Sequence, residues 1–154
     1  MEYLKFSFWF IVIHTVVYTI AGAFALRLTG KDFYEGKKRS LDFLRDMSDA
    51  NESKHVQKLF IPAQFLRGLL MSIVLFPILG QLGELSFVLR FAFISGLMFV
   101  YTDFASAVAF PNNIEGYIYM KKDRYFKKGA FWKSHIEMIV YSLIFGALVS
   151  WFLF

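Results

Sequence analysis

The chain has 154 residues, a formal net charge of +5, 57% hydrophobic and 19% charged residues, and no cysteine. A soluble domain carries about 25% charged and about 45–50% apolar residues, and here the apolar excess is gathered into long runs, which excludes an ordinary soluble domain. The missing cysteines exclude disulfides, zinc-thiolate sites, haem attachment and thiol nucleophiles.

Four runs have the length a bilayer requires, about 17–25 residues per helix. The first, Phe6 to Leu26, holds no charge, has His14 in its outer half and ends in the small residues Ala21, Gly22, Ala23 and Ala25. The second, Phe60 to Leu82, has one charge, Arg67, with Gln64 beside it and Pro77 placed to kink its outer end. The third, Leu85 to Phe110, holds Arg90 and Asp103, and the fourth, Ile136 to Phe154, is charged only at Glu137. Backbone polar groups in lipid must be satisfied within the segment, so each run is expected to be helical. Strand-like alternation is absent, which disposes of a membrane barrel. Ala23-Phe24-Ala25 resembles a signal-peptide cleavage site, but the near-neutral leader Met1–Lys5 and the charge pattern below favour a retained first span. The expected fold is an all-α integral membrane protein, one membrane domain over residues 1–154: a four-transmembrane-helix bundle, with a short amphipathic helix between the first and second spans.

The connecting segments, residues 27–59 and 111–135, hold 14 of the 17 lysines and arginines. With four spans they share one side, which the positive-inside rule makes cytoplasmic. Both termini and the turn Gln81–Glu84 then face outward, and a plasma (inner) membrane location is expected. In the first segment Leu41, Leu44 and Met47 or Phe43 fall at helical spacing, with Ser40 as a cap, which predicts the amphipathic helix on the headgroups or over the bundle mouth. A docking site for a partner and a solvated connector with one apolar face are both open there. In the second segment Tyr117, Tyr119, Tyr125, Phe126, Phe131 and Trp132 alternate with Lys121, Lys122, Arg124, Lys127, Lys128 and Lys133. Rings at headgroup depth and cations to anionic lipid headgroups explain that mixture, so nucleic acid is not an expected partner.

Ionisable groups inside apolar spans are expensive, and each is a candidate functional residue. Arg67 and Asp103 both fall roughly 10 Å inside the cytoplasmic boundary at the α-helical rise. The short turn between the second and third spans predicts antiparallel neighbours, and hence an Arg67–Asp103 ion pair completed by Gln64 and Ser106. Two roles are open for it: a buried latch fixing helix register, or a proton- or cation-binding carboxylate lining a cavity. Asn112, Asn113 and Glu115 follow on the same side, as a polar vestibule or as an Asx-type turn. In the outer half, Arg90 is expected to reach outward to Glu84 or Glu2, and His14 to hydrogen-bond a neighbouring helix. His135 and Glu137 sit at the water boundary and carry no weight in this reading.

No nucleotide loop, zinc-binding His pair, serine elbow or acid–base pair of carboxylates is present, so an enzyme is not indicated, and neither cofactor nor metal is expected. Three classes stand. One is an oligomeric channel or transporter protomer, since one copy is too small to enclose much of a path. The others are a membrane-embedded lipid-binding protein or lipid-modifying enzyme, and an accessory subunit docking a larger membrane complex. The first is the expectation carried forward.

Overall fold

The computed structural model describes residues 2–121 and 130–154, and all of these are helix, turn or irregular chain, with no strand among them. Lys122, Arg124, Tyr125, Phe126, Lys127 and Lys128 of the aromatic–basic segment lie outside the described residues. The elements are α1 (Glu2–Phe33), α2 (Ala50–Leu75), a 3₁₀ turn (Phe76–Ile78), α3 (Leu79–Glu84) and α4 (Phe87–Gly96). A π-helical segment (Leu97–Phe104) continues α4, and α5 (Ile114–Tyr119) and α6 (Ala130–Phe152) follow. Four helical stretches are long and apolar enough to cross a membrane: Glu2–Gly30, Ala50–Glu84, Phe87–Phe104 and His135–Phe152. Their outer surface is an apolar coat, with Leu4, Leu70, Val74, Val88 and Trp151 more than half exposed.

Small residues decide which helices touch. A Cβ on Gly68 would lie 3.2 Å from Ile11 Cα, and Ser72 Oγ donates to Ser7 Oγ at 2.9 Å, so α2 lies antiparallel on α1 with backbones close. Gly146 faces Ser95 and brings α6 onto α4. Between these two pairs, α1 meets α6 through Phe10, His14, Tyr141 and Phe145, all completely buried. The antiparallel pairing expected of the second and third spans is therefore corrected: α2 packs mainly on α1, and α4 mainly on α6. The short link does not hold α2 against α4, because Pro77 lies in the 3₁₀ turn that redirects the chain through α3. Phe6 and Phe154 meet at one end of the bundle, while Asp32 and Lys133, from the two polar segments, meet at the other.

Three expected boundaries shift. The amphipathic helix between the first two spans is absent: residues 34–49 are turns folded against the end of α1. Gly36 has φ +75°, which reverses the chain, and backbone bonds from Ser40 to Asp32 and from Met47 to Tyr34 fix the return. Arg39 donates to the carbonyls of Gly36, Asp42 and Leu44, and Leu41 packs on Phe33 in a small second core. The helix start that the segment does contain is Asp49, whose carboxylate accepts from Asn51 N and Glu52 N, so α2 begins ten residues before the apolar run. The third helix ends at Phe104 rather than Phe110. There Asn113 replaces helical partners, with Nδ2 donating to Val108 O at 2.6 Å and Oδ1 accepting from Phe110 N at 3.1 Å.

The turn at 36–48 has a pH signature. Asp46 accepts from the Ser48 hydroxyl and from the amides of Ser48 and Gly36, with Arg39 nearby, and these bonds hold its pKa at about 2. A carboxylate depressed in the folded state stabilises it above the ordinary value near 4, and that contribution is lost as pH falls through the folded value. The Gly36 and Ser48 amides are expected to shift with a midpoint near pH 2. A midpoint near 4 would show that Asp46 does not hold the turn.

Candidate functional site

The site lies at the end of the bundle where the polar segments meet, and each wall comes from a different element. The π-helical segment arises because Ala105 N reaches back five residues to Val100 O at 2.7 Å. That register widens the helix and turns Asp103 inward; single π turns in α-helices recur at functional sites. Pro111 and Asn113 fold the following chain back, which sets Asn112 against Asp103. Asn112 Nδ2 donates to Asp103 Oδ1. From α6, His135 Nδ1 lies 3.5 Å from Asp103 Oδ2, with the imidazole held between the rings of Phe99 and Phe104. Asp103 is 9% exposed and His135 3%, and Asp103 Oδ2 has no hydrogen-bond partner among the described residues.

Arg67 does not form the expected ion pair with Asp103. Its guanidinium lies 5.0 Å above the Tyr18 ring, and both Tyr18 and Arg67 interact with Glu137. Glu137 fits because Gly22 leaves room: a Cβ there would lie 3.6 Å from Glu137 Oε1. A cavity of about 330 Å³ separates the two groups, lined by Arg67 and Glu137 on one side and by Asp103, Ser106, Asn112 and Asn113 on the other. Phe33, Tyr34, Leu41 and Phe110 complete it towards the polar end. Burial, with Glu137 and Tyr18 nearby, raises the Tyr34 pKa, so its hydroxyl stays protonated. None of His14, Met98, Tyr141 and Phe145, buried in the middle of the bundle, lines the cavity.

The remaining candidates take different places. Gln64 is buried beside His14 rather than in the cavity. His14 Nδ1 meets the Tyr141 hydroxyl at 2.7 Å, and that hydroxyl lies 3.7 Å from Met98 Sδ, a polar contact joining α1 to α6 in the middle of the core. Asn113 caps α5 by accepting from Gly116 N at 2.7 Å, a structural role that leaves Asn112 as the polar turn residue acting on Asp103. Glu115 sits in the first turn of α5 and does not line the cavity. Arg90 donates to Leu85 O at 2.7 Å and lies 4.8 Å over the Phe154 ring, without an ion pair to Glu84 or Glu2.

Sequence reasoning missed Tyr18, His135 and Glu137. The last two were set aside as close to water, yet the folded-back segments cover them. Their spacing, two residues apart in the first turns of an apolar run, was the available signal. No group of three or more His, Asp or Glu among the described residues is placed to hold a metal ion. No protein-family model, curated protein or solved structure matches the chain.

Proposed function

We propose that the chain is an integral membrane protein that binds the polar end of an amphiphile in this cavity, at the cytoplasmic side of the bilayer. The observation that carries the reading is the one-sided cavity. Both basic segments contribute to its lining, through Phe33, Tyr34 and Leu41 and through Pro111 to Asn113 and Lys133, and the central residues Phe10, Tyr141 and Phe145 do not. The α2 wall is formed by Arg67 alone, and α2 packs on α1 rather than on α4, which leaves that side for an acyl chain to pass into lipid. Pockets of about 300–1,000 Å³ with a few convergent polar groups are typical ligand sites. Orientation follows from the charge rule, with both basic segments inside. Headgroup binding suits either a lipid-binding protein or a lipid-modifying enzyme.

A second reading, the oligomeric transport protomer, is supported by the run of ionisable groups Arg67, Glu137, Asp103 and His135 across neighbouring helices. It requires a path that one copy lacks, and so a second copy. One preparation separates the two. Protein purified from membranes is expected to carry one lipid class enriched several-fold over the bulk, and Asp103→Asn is expected to abolish the enrichment. Bulk lipid composition on the wild type, together with liposome flux that falls in Asp103→Asn, would replace the first reading by the second.

A further inference from the structure

The charge lining the cavity is unevenly committed. Among the described residues, two cations, Arg67 and Lys133, and two carboxylates, Asp103 and Glu137, line it. Lys133 is drawn to Asp32, with Nζ 2.5 Å from Oδ2, and Arg67 is spread over Tyr18 beside Glu137. Among the described residues, Asp103 has one amide donor on Oδ1 and no hydrogen-bond donor on Oδ2. Its other neighbour is the His135 imidazole, whose Nδ1 lies 3.5 Å from Oδ2, longer than a good hydrogen bond. A buried carboxylate is costly to keep ionised without a cation or a full set of donors.

The wall facing the polar end carries three aromatic rings beside Leu41. Phe33, Tyr34 and Phe110 line the same cavity, and ring faces attract cations. A hard metal ion takes about six oxygen ligands in a regular arrangement, and no group of three or more His, Asp or Glu among the described residues is placed to hold one. An anion would meet two carboxylates, and the two lining cations are already engaged, Arg67 by Tyr18 and Glu137 and Lys133 by Asp32. A carboxylate opposite aromatic rings matches a cation that carries its own apolar surface.

We infer that the cavity binds an organic ammonium group, with Asp103 as its counter-ion and Phe33, Tyr34 and Phe110 as its aromatic wall. The inference rests on the binding-site reading above and specifies the headgroup, choline- or ethanolamine-like. A free alkylammonium offers the same chemistry, so the test must distinguish the two sources.

The full-length chain in dodecyl maltoside is titrated calorimetrically with choline chloride, dihexanoylphosphatidylcholine, dihexanoylphosphatidylglycerol, and sodium chloride at matched ionic strength. Binding by both choline-bearing probes, with none by the glycerol lipid or the salt, is expected. Asp103→Asn is expected to weaken choline binding at least about tenfold, as loss of a desolvated counter-charge should. Phe110→Leu keeps the apolar bulk, so it reads the site even if the first variant fails to fold, and is expected to cost about fivefold. Free choline binding without its lipid keeps the ammonium assignment and removes the amphiphile reading. Equal binding of the glycerol lipid keeps the headgroup site and overturns the ammonium assignment. Silence from every probe, or an unchanged choline affinity in both variants, overturns the assignment outright.

Discussion

Gly146→Ala is expected to loosen the α4–α6 pair and lower resistance to denaturation by about 1–3 kcal/mol, the usual cost of overpacking a filled interface. The added methyl would collide with Ser95 Oγ and sit 3.1 Å from both Ser95 Cβ and Ser95 N. A rotamer change can remove the hydroxyl but not the backbone nitrogen, so the helices must part. Ser95, Ile94, Tyr141, Phe145 and Val149 are buried at or beside this contact, and separation loosens all of them. Equilibrium unfolding in a dodecyl maltoside–dodecyl sulfate titration measures the loss. Ser95→Gly is expected to restore a good part of it in the double variant, because it deletes two of the three atoms in conflict. Gly96 is the control: a Cβ there meets nothing within 4 Å, so Gly96→Ala should be near neutral or stabilising. Equal losses at 146 and 96 would mean that helix propensity, not the close approach, governs this region.

The four long apolar helices were legible because length and apolar composition are local properties of the sequence. Their partners were not. Gly68, Ser72, Ser95 and Gly146 are visible as small residues in the sequence, but a small residue states that something comes close without stating what. The short link after the second span suggested neighbours, and the sharper information lay in Pro77, which bends the chain away. Asp49-Ala50-Asn51-Glu52 carries the spacing of a capped helix start and was readable in principle; the Leu41/Leu44 spacing competed with it. Arg39 decided that competition, since a side chain occupied by three carbonyls stabilises turns that periodicity cannot register.

At the site the same division holds. Arg67 and Asp103 were found because charge in an apolar run is conspicuous, and both line one cavity. Their pairing failed because depth along a helix does not determine the face presented. A five-residue hydrogen bond at Val100 turns Asp103 towards Asn112 and His135, and nothing in Leu97–Phe104 announces that register. His135 and Glu137 were misjudged for a related reason. A residue at a span boundary is wet only if the adjoining segment stays away, and here residues 34–41 and 108–113 fold over it.

The turn that holds this arrangement is also where a single methyl group should have the largest effect on the site. In Gly116→Ala the new Cβ would overlap Phe110 O, lie 2.5 Å from Phe110 C and lie 3.0 Å from Phe110 N. All three are backbone atoms, so no rotamer relieves the conflict, and α5 must withdraw from the 106–113 turn. Withdrawal breaks the Asn113 bond to Gly116 N, worth about 1 kcal/mol net and more when a buried partner is stranded, and displaces the Asn113 amide that also bonds Phe110 N and Val108 O. Asn112 moves with its neighbour, so Asp103 loses its amide donor. The four long apolar helices do not depend on this turn, so the variant is expected to remain folded, with the monodispersity and helical content of the wild type. Deuterium uptake at the Phe110 and Gly116 amides should rise by at least about tenfold, and choline affinity should fall by a similar factor. Ile114→Ala, on the exposed side of the same helix, is expected to change neither. Unaltered protection and affinity in Gly116→Ala would mean that the turn does not shape the cavity, and that Asp103 is held by α6 alone.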